Sequence, residues 1–173
     1  MSTTTYDLFF TGRDDPRSCV IIGEDSRPVY FCFETTERSM MSNVRTMVYR
    51  NDKEFCAKLE WSPGNHLGGV TIGSRELHMS NLVSPGSCIG ARAFVSADGS
   101  TFEWRRDREN PASYDLYAHS NRPIGAFRRF PKTKSTAVGP SHAHFQYSFN
   151  HDLLLTEALV ALCINRWIDL HGV

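Results

Sequence analysis

The chain has 173 residues, 40% apolar and 22% charged, and nineteen basic side chains balance nineteen acidic ones. That length suits one domain with a substantial core, and the zero net charge excludes a protein drawn to nucleic acid or anionic membrane by its overall field. Eleven Phe and six Tyr, among many Val, Ile and Thr, tilt local propensity toward strands.

Tyr6 to Phe10 reads as a first strand, ended by the turn-prone Gly12-Arg-Asp-Asp-Pro16. Cys19 to Ile22 and Arg27 to Thr36 follow as a pair around Gly23-Glu-Asp-Ser26, and Val29, Phe31 and Phe33 alternate with Tyr30, Cys32 and Glu34. Asn43 to Arg50 and Glu54 to Trp61 form the next hairpin about Asn51-Asp52-Lys53. Two short strands, Val70 to Ile72 and Glu76 to Met79, flank Gly73-Ser74, and Ser80 to Gly90 reads as a loop. Ala91 to Ser96 and Thr101 to Arg106 give the strongest hairpin signal, because Asp98-Gly99 suits a turn with positive φ. Tyr114 to Ala118 pairs with Pro123 to Arg128, Phe130 to Pro140 is a polar connection, and His142 to Phe149 is a last strand.

Residues 150–171 are expected to be helical, with Asn150 as N-cap and Gly172 just past the end. The centre, Ala158-Leu-Val-Ala-Leu-Cys-Ile164, is unbroken apolar sequence, and Thr156, Glu157, Asn165, Arg166 and Asp169 are scattered around the wheel. A helix without a polar stripe must be enclosed, and this one is too short and too closely flanked by charge to span a bilayer. Eleven or twelve strands followed by such a helix lead us to expect a single domain over residues 1–173: mainly β, a closed antiparallel barrel of about twelve strands around a buried C-terminal α-helix.

Arg27-Pro-Val-Tyr-Phe31, Leu59-Glu-Trp61, Ile72-Gly73-Ser74-Arg75-Glu76 and Asp98-Gly-Ser-Thr-Phe-Glu-Trp104, ending in the apolar helix, occur in an order that resembles a fungal family of domains of unknown function. That family is related to the tubby C-terminal-like, or scramblase-like, β-barrels. The resemblance implies a barrel of about twelve strands around a central helix, and relatives that bind phosphoinositides or scramble phospholipids. It carries over no functional residue.

The five cysteines (Cys19, Cys32, Cys56, Cys88, Cys163) are odd in number, widely spaced and without a CxxC pair, so neither a disulfide framework nor a zinc site is expected. Met1 to Asp7 has no basic and apolar leader, and the expected compartment is the cytoplasm.

One charge asymmetry stands out. Arg105 to Lys134 holds eight basic and three acidic residues, a net of +5, which leaves the remainder at −5. Within it, Arg128, Arg129, Lys132 and Lys134 make a candidate edge for phosphate head groups, against the plainer reading of a solvated, ion-paired surface. His142 and His144 share one strand face and can chelate a metal only if a third ligand arrives from elsewhere, such as His119, His151 or a carboxylate, so no metal and no cofactor is expected. Ser87 and Cys88 sit among glycines but lack nucleophile-elbow spacing. The first reading is a non-enzymatic binding or scaffold domain whose partner is an anionic phospholipid or a protein, with no transmembrane segment and no nucleic acid. The alternative is a small-molecule-binding barrel or enzyme with a rim pocket near His142 and His144, or near Ser87 and Cys88. Oligomeric state is not readable from this sequence.

Overall fold

In a computed structural model of the chain, residues 3–36, 44–51 and 53–172 are described. The expected start of the fourth strand at Asn43, and Asp52 in the following turn, lie outside them. The described chain forms thirteen strands and one long helix. The first seven strands are β1 (Tyr6–Thr11), β2 (Cys19–Gly23), β3 (Tyr30–Thr36), β4 (Arg45–Arg50), β5 (Glu54–Ser62), β6 (His66–Ile72) and β7 (Arg75–His78). After a short 3-10 helix, Met79–Leu82, come β8 (Ser84–Pro85), β9 (Ala91–Val95), β10 (Thr101–Arg106), β11 (Ser113–Ala118), β12 (Arg122–Thr136), β13 (Gly139–Tyr147) and the helix α1 (Asp152–His171).

All pairings are antiparallel and the strands make a single sheet in the order β7-β6-β5-β4-β3-β2-β1-β13-β12-β11-β10-β9-β8. The chain starts at the middle of the sheet, meanders to one edge, crosses to the other, and meanders back until β13 pairs with β1. Tyr6 lies opposite Tyr147 and Phe10 opposite Ala143 in that central ladder.

The closed barrel expected from the sequence does not form: β7 and β8 are the two edges of the sheet and do not pair with each other. The physical reason lies in the edge strands. β7 has four residues and β8 two, one of them Pro85, which has no N–H to give to a ladder. The residues between them turn into the 3-10 helix, whose Met79 and Leu82 are fully buried in the core. The gap is filled by side chains where a barrel would have backbone hydrogen bonds. Farther along the same gap Arg75 of β7 donates to the Val95 carbonyl of β9 at 3.1 Å and pairs with Glu157 of α1 at 2.8 Å.

Inside the sheet, α1 is buried on every side from Leu154 to Trp167. His151, not Asn150, caps its start, its Nδ1 accepting from the Leu154 N–H at 3.1 Å. Gly172 closes the other end with φ 68° and donates to the Ile168 carbonyl at 2.7 Å. The sheet lines the helix with alternate residues of each strand, among them Leu8, Phe31, Val48, Leu59, Trp104 and Phe145. Trp61 and Trp104 are core residues: their indole N–H groups donate to Thr46 Oγ1 and to the Ala158 carbonyl, each at 3.0 Å.

Gly68 shows how tightly the layers meet. It lies beside the irregularity of β5 between Glu60 and Ser62, and an added Cβ would sit 2.0 Å from the Glu60 carbonyl oxygen. Backbone must move to admit it, so Gly68→Ala is expected to destabilise by about 1–3 kcal/mol. An unchanged urea midpoint would contradict that packing.

Residues 130–136, expected to be a polar connection, instead extend β12 into a long hairpin with β13. Register slips between Arg129 and Lys134, then resumes with Lys134 opposite Ser141 and Thr136 opposite Gly139. Pro131 falls within the irregular stretch, where a residue without an N–H does not interrupt a ladder.

Candidate functional site

The central pairing of β1 with β13 determines which charged groups meet. The chain leaving β1 at Thr11 carries Asp14, and β12 and β13 bring Arg129 and His142 to the same end of the sheet. The last turns of α1 add Arg166. Asp14 is the hub. Its Oδ2 accepts from both Arg129 Nε, at 3.0 Å, and Arg129 Nη2, while its Oδ1 lies 3.4 Å from His142 Nδ1 and 3.7 Å from Arg166 Nη2. Burial works to raise the Asp14 carboxyl, but the Arg129 guanidinium, helped by His142 and Arg166, outweighs it and holds the group below its ordinary range. For His142 burial wins over the pull of Asp14 and pushes the imidazole down, so it is neutral at pH 7. Two permanent cations therefore face one carboxylate.

Two clefts flank the Asp14–Arg129 pair. The larger, about 810 Å³, lies between the β1–β2 connection and the bulged part of the β12–β13 hairpin, and Arg129, Phe130, Lys132, Pro140 and His142 line it. The smaller, about 370 Å³, lies on the other side, between the β10–β11 connection and the end of α1.

The four basic residues singled out in the sequence do not form one patch. Successive strand residues point to opposite faces. Arg128 pairs with Asp115 at 2.8 Å, and Arg129 turns to Asp14. Lys132 stands exposed on the bulge and Lys134 just beyond it, also exposed. Among the described residues neither has an ion pair, and Lys134 lies 5.4 Å from the centre of the Phe130 ring. The unpaired positive charge of the cluster is thus carried by the two lysines.

His142 and His144 do share a strand face, but on a strand in the middle of the sheet and not at an edge. His142 is buried. His144 stacks on Phe9 and its Nε2 lies 2.6 Å from Asp7 Oδ1, so the two imidazoles serve different carboxylates. No group of three or more His, Cys, Asp or Glu among the described residues is placed to hold a metal. Ser87 donates through Oγ to Glu103 at 2.6 Å and accepts from Arg105 at 3.3 Å. Burial raises the Glu103 carboxyl, but the Ser87 and Arg105 hydrogen bonds outweigh it and leave the group low, which makes it a weak base for a serine. All five cysteines are free thiols. Burial pushes Cys19 up to about 12 and Cys163 higher, so these two are inert at neutral pH.

Asp14 and Arg166 were not singled out as functional by the sequence. A signal for Arg166 was present, since a permanent charge on a helix that must be enclosed needs a partner or a cleft. For Asp14 there was none, because a turn residue acquires its neighbours only when β13 pairs with β1.

Comparison with family models places the chain. Residues 14–163 match a family model described as Family of unknown function (DUF6593). The chain belongs to this family. The span matched to DUF6593 includes Asp14, Arg129, Lys132 and His142 and stops short of Arg166. Neither the curated proteins nor the solved structures give a match. No helix among the described residues is long and apolar enough to cross a membrane.

Proposed function

We propose that this DUF6593 domain is a non-enzymatic binding module for an anionic phospholipid head group, which it takes in the 810 Å³ cleft between the β1–β2 connection and the β12–β13 hairpin. The observation that carries the reading is Lys132 in the lining of that cleft, exposed and with no carboxylate partner among the described residues, with Lys134 two residues farther along the same strand, likewise exposed and without an ion pair. A phosphate entering there meets the Lys132 ammonium, which loses no internal ion pair on binding, and Arg129, held by Asp14, in the cleft wall, while Lys134 adds its charge to the same hairpin. The five free thiols suit a protein that works in a reducing, cytoplasmic setting. The resemblance to tubby-related domains, whose relatives include phospholipid-binding proteins, supports the same ligand class.

Co-sedimentation with phosphatidylcholine vesicles, with and without an anionic phospholipid, tests this. Binding is expected only to the anionic vesicles and is expected to fall as salt rises. At roughly 1 kcal/mol per lysine near the surface, Lys132→Gln with Lys134→Gln should weaken it by about ten- to thirtyfold. Equal, negligible binding by wild type and the double variant would sink the proposal.

A further inference from the structure

The smaller cleft is a distinct site, and its floor is the enclosed helix. Arg166 is only 6% exposed and lines that cleft. Its guanidinium has five N–H donors, yet no hydrogen bond to it forms among the described residues: Asp14 is 3.7 Å away, and the Phe127 ring centre lies 4.8 Å from its central carbon. Its nitrogens are not sealed off without a partner, so the donors left unused within the protein open onto the cleft.

The surrounding charges say which ligand suits those donors. Arg106 and Arg129 line the cleft with Arg166, and Arg92 reaches it through Asp169, at 3.0 Å. Against these four guanidinium groups stand two carboxylates, Asp14 and Asp169, which leaves two surplus positive charges. Asp169 is already engaged, since it also accepts from the Tyr114 hydroxyl at 2.6 Å and lies 3.8 Å from Arg106. Arg106 spends its Nε on the Pro111 carbonyl at 2.6 Å, and its Nη1 makes only the long ion pair with Asp169. The C-terminal end of α1 opposes an anion here with about half a unit of negative charge, less than the surplus.

We infer that the 370 Å³ cleft binds a small phosphate-bearing anion, with Arg166 as its buried anchor and Arg106 as the contact at its mouth. Guanidinium forks match the several oxygens of a phosphate, and a cleft of this size takes inorganic phosphate or a small monoester but not a lipid. This site does not depend on Lys132 and Lys134.

Isothermal titration of the full chain with inorganic phosphate, at constant ionic strength held by chloride, is the test. Wild type is expected to take up phosphate in this cleft, and the Lys132→Gln, Lys134→Gln variant, which lacks the lysines of the β12–β13 hairpin, to take up one phosphate. Arg106→Gln, at a partly exposed position that leaves the core intact, should weaken binding about tenfold, and Arg166→Gln at least as much if it folds. Lys132→Gln with Lys134→Gln should keep the phosphate uptake that Arg106→Gln weakens, even though it weakens vesicle binding. No uptake by wild type at millimolar phosphate, wild-type affinity in Arg106→Gln, or loss of phosphate binding in the lysine variant would each overturn the inference.

Discussion

Leu159→Asp and Leu162→Asp are each expected to abolish the native state. The two leucines are 2% and 1% exposed, in the middle of a helix enclosed from Leu154 to Trp167. A carboxylate placed there has no counter-ion to meet, and burying it costs several kcal/mol out of a total stability of about 5–15 kcal/mol. The polar residues that α1 does bury show what the position demands. Glu157 has Arg75 and the Ala97 N–H, at 2.8 and 3.0 Å, and Asn165 donates to the Ala161 carbonyl at 2.9 Å and accepts from Arg92 at 3.1 Å. Leu159→Ala, which removes volume without adding charge, should cost about 2–5 kcal/mol and leave a folded protein. Far-UV circular dichroism with urea titration separates these outcomes. A wild-type midpoint in either aspartate variant would mean that the helix is not enclosed.

Arg75→Ala should be the most damaging change outside the apolar core, at about 3–5 kcal/mol, because it strips the counter-charge from a buried carboxylate. Glu157 is 1% exposed, and burial already raises its carboxyl above the ordinary range despite the opposing pull of Arg75. The pH dependence follows from the sign of that shift. A carboxyl raised in the folded state favours folding while protonated, below its unfolded value, and that contribution is lost as pH climbs through the folded value. Without Arg75 the folded value rises further, so the stability gap between Arg75→Ala and wild type should be widest at neutral pH and should narrow as pH falls through the two folded values, both above the ordinary glutamate range. In the Glu157→Gln background, which keeps a neutral side chain of the same shape, Arg75→Ala should cost much less. A gap independent of pH, or undiminished in that background, would remove the charge explanation.

What the sequence displayed and what it hid divide along a physical line. Strands such as Val29 to Phe33 and Thr101 to Arg106 were legible because alternation and turn chemistry are local. The enclosure of α1 was legible because a wheel apolar on all sides allows one solution. Closure was not, since whether two edges pair depends on register around the whole sheet. Of the residues that settle it, Met79 read as the end of a short strand, and Leu82 and Pro85 as part of an ordinary loop. The site was half legible. The run Arg128, Arg129, Lys132, Lys134 announced charge, but strand alternation and a bulge divided it into two paired arginines and two free lysines. Asp14, the residue that orders the clefts, lies 115 positions from Arg129 and is joined to it only through the tertiary fold.

The ladder between β1 and β13 has a further consequence, in the order in which the protein can be assembled. The sheet can be built from both halves by short-range steps, since each half is a meander of neighbouring strands. The pairing that joins the halves spans nearly the whole chain, and the helix that fills the interior is synthesised after every strand. During translation the inner faces of the first strands therefore have no core to cover, and the decisive long-range contact forms late. Because β7 and β8 do not pair, enclosing α1 takes no second long-range ladder: burial of Met79 and Leu82 completes the wall.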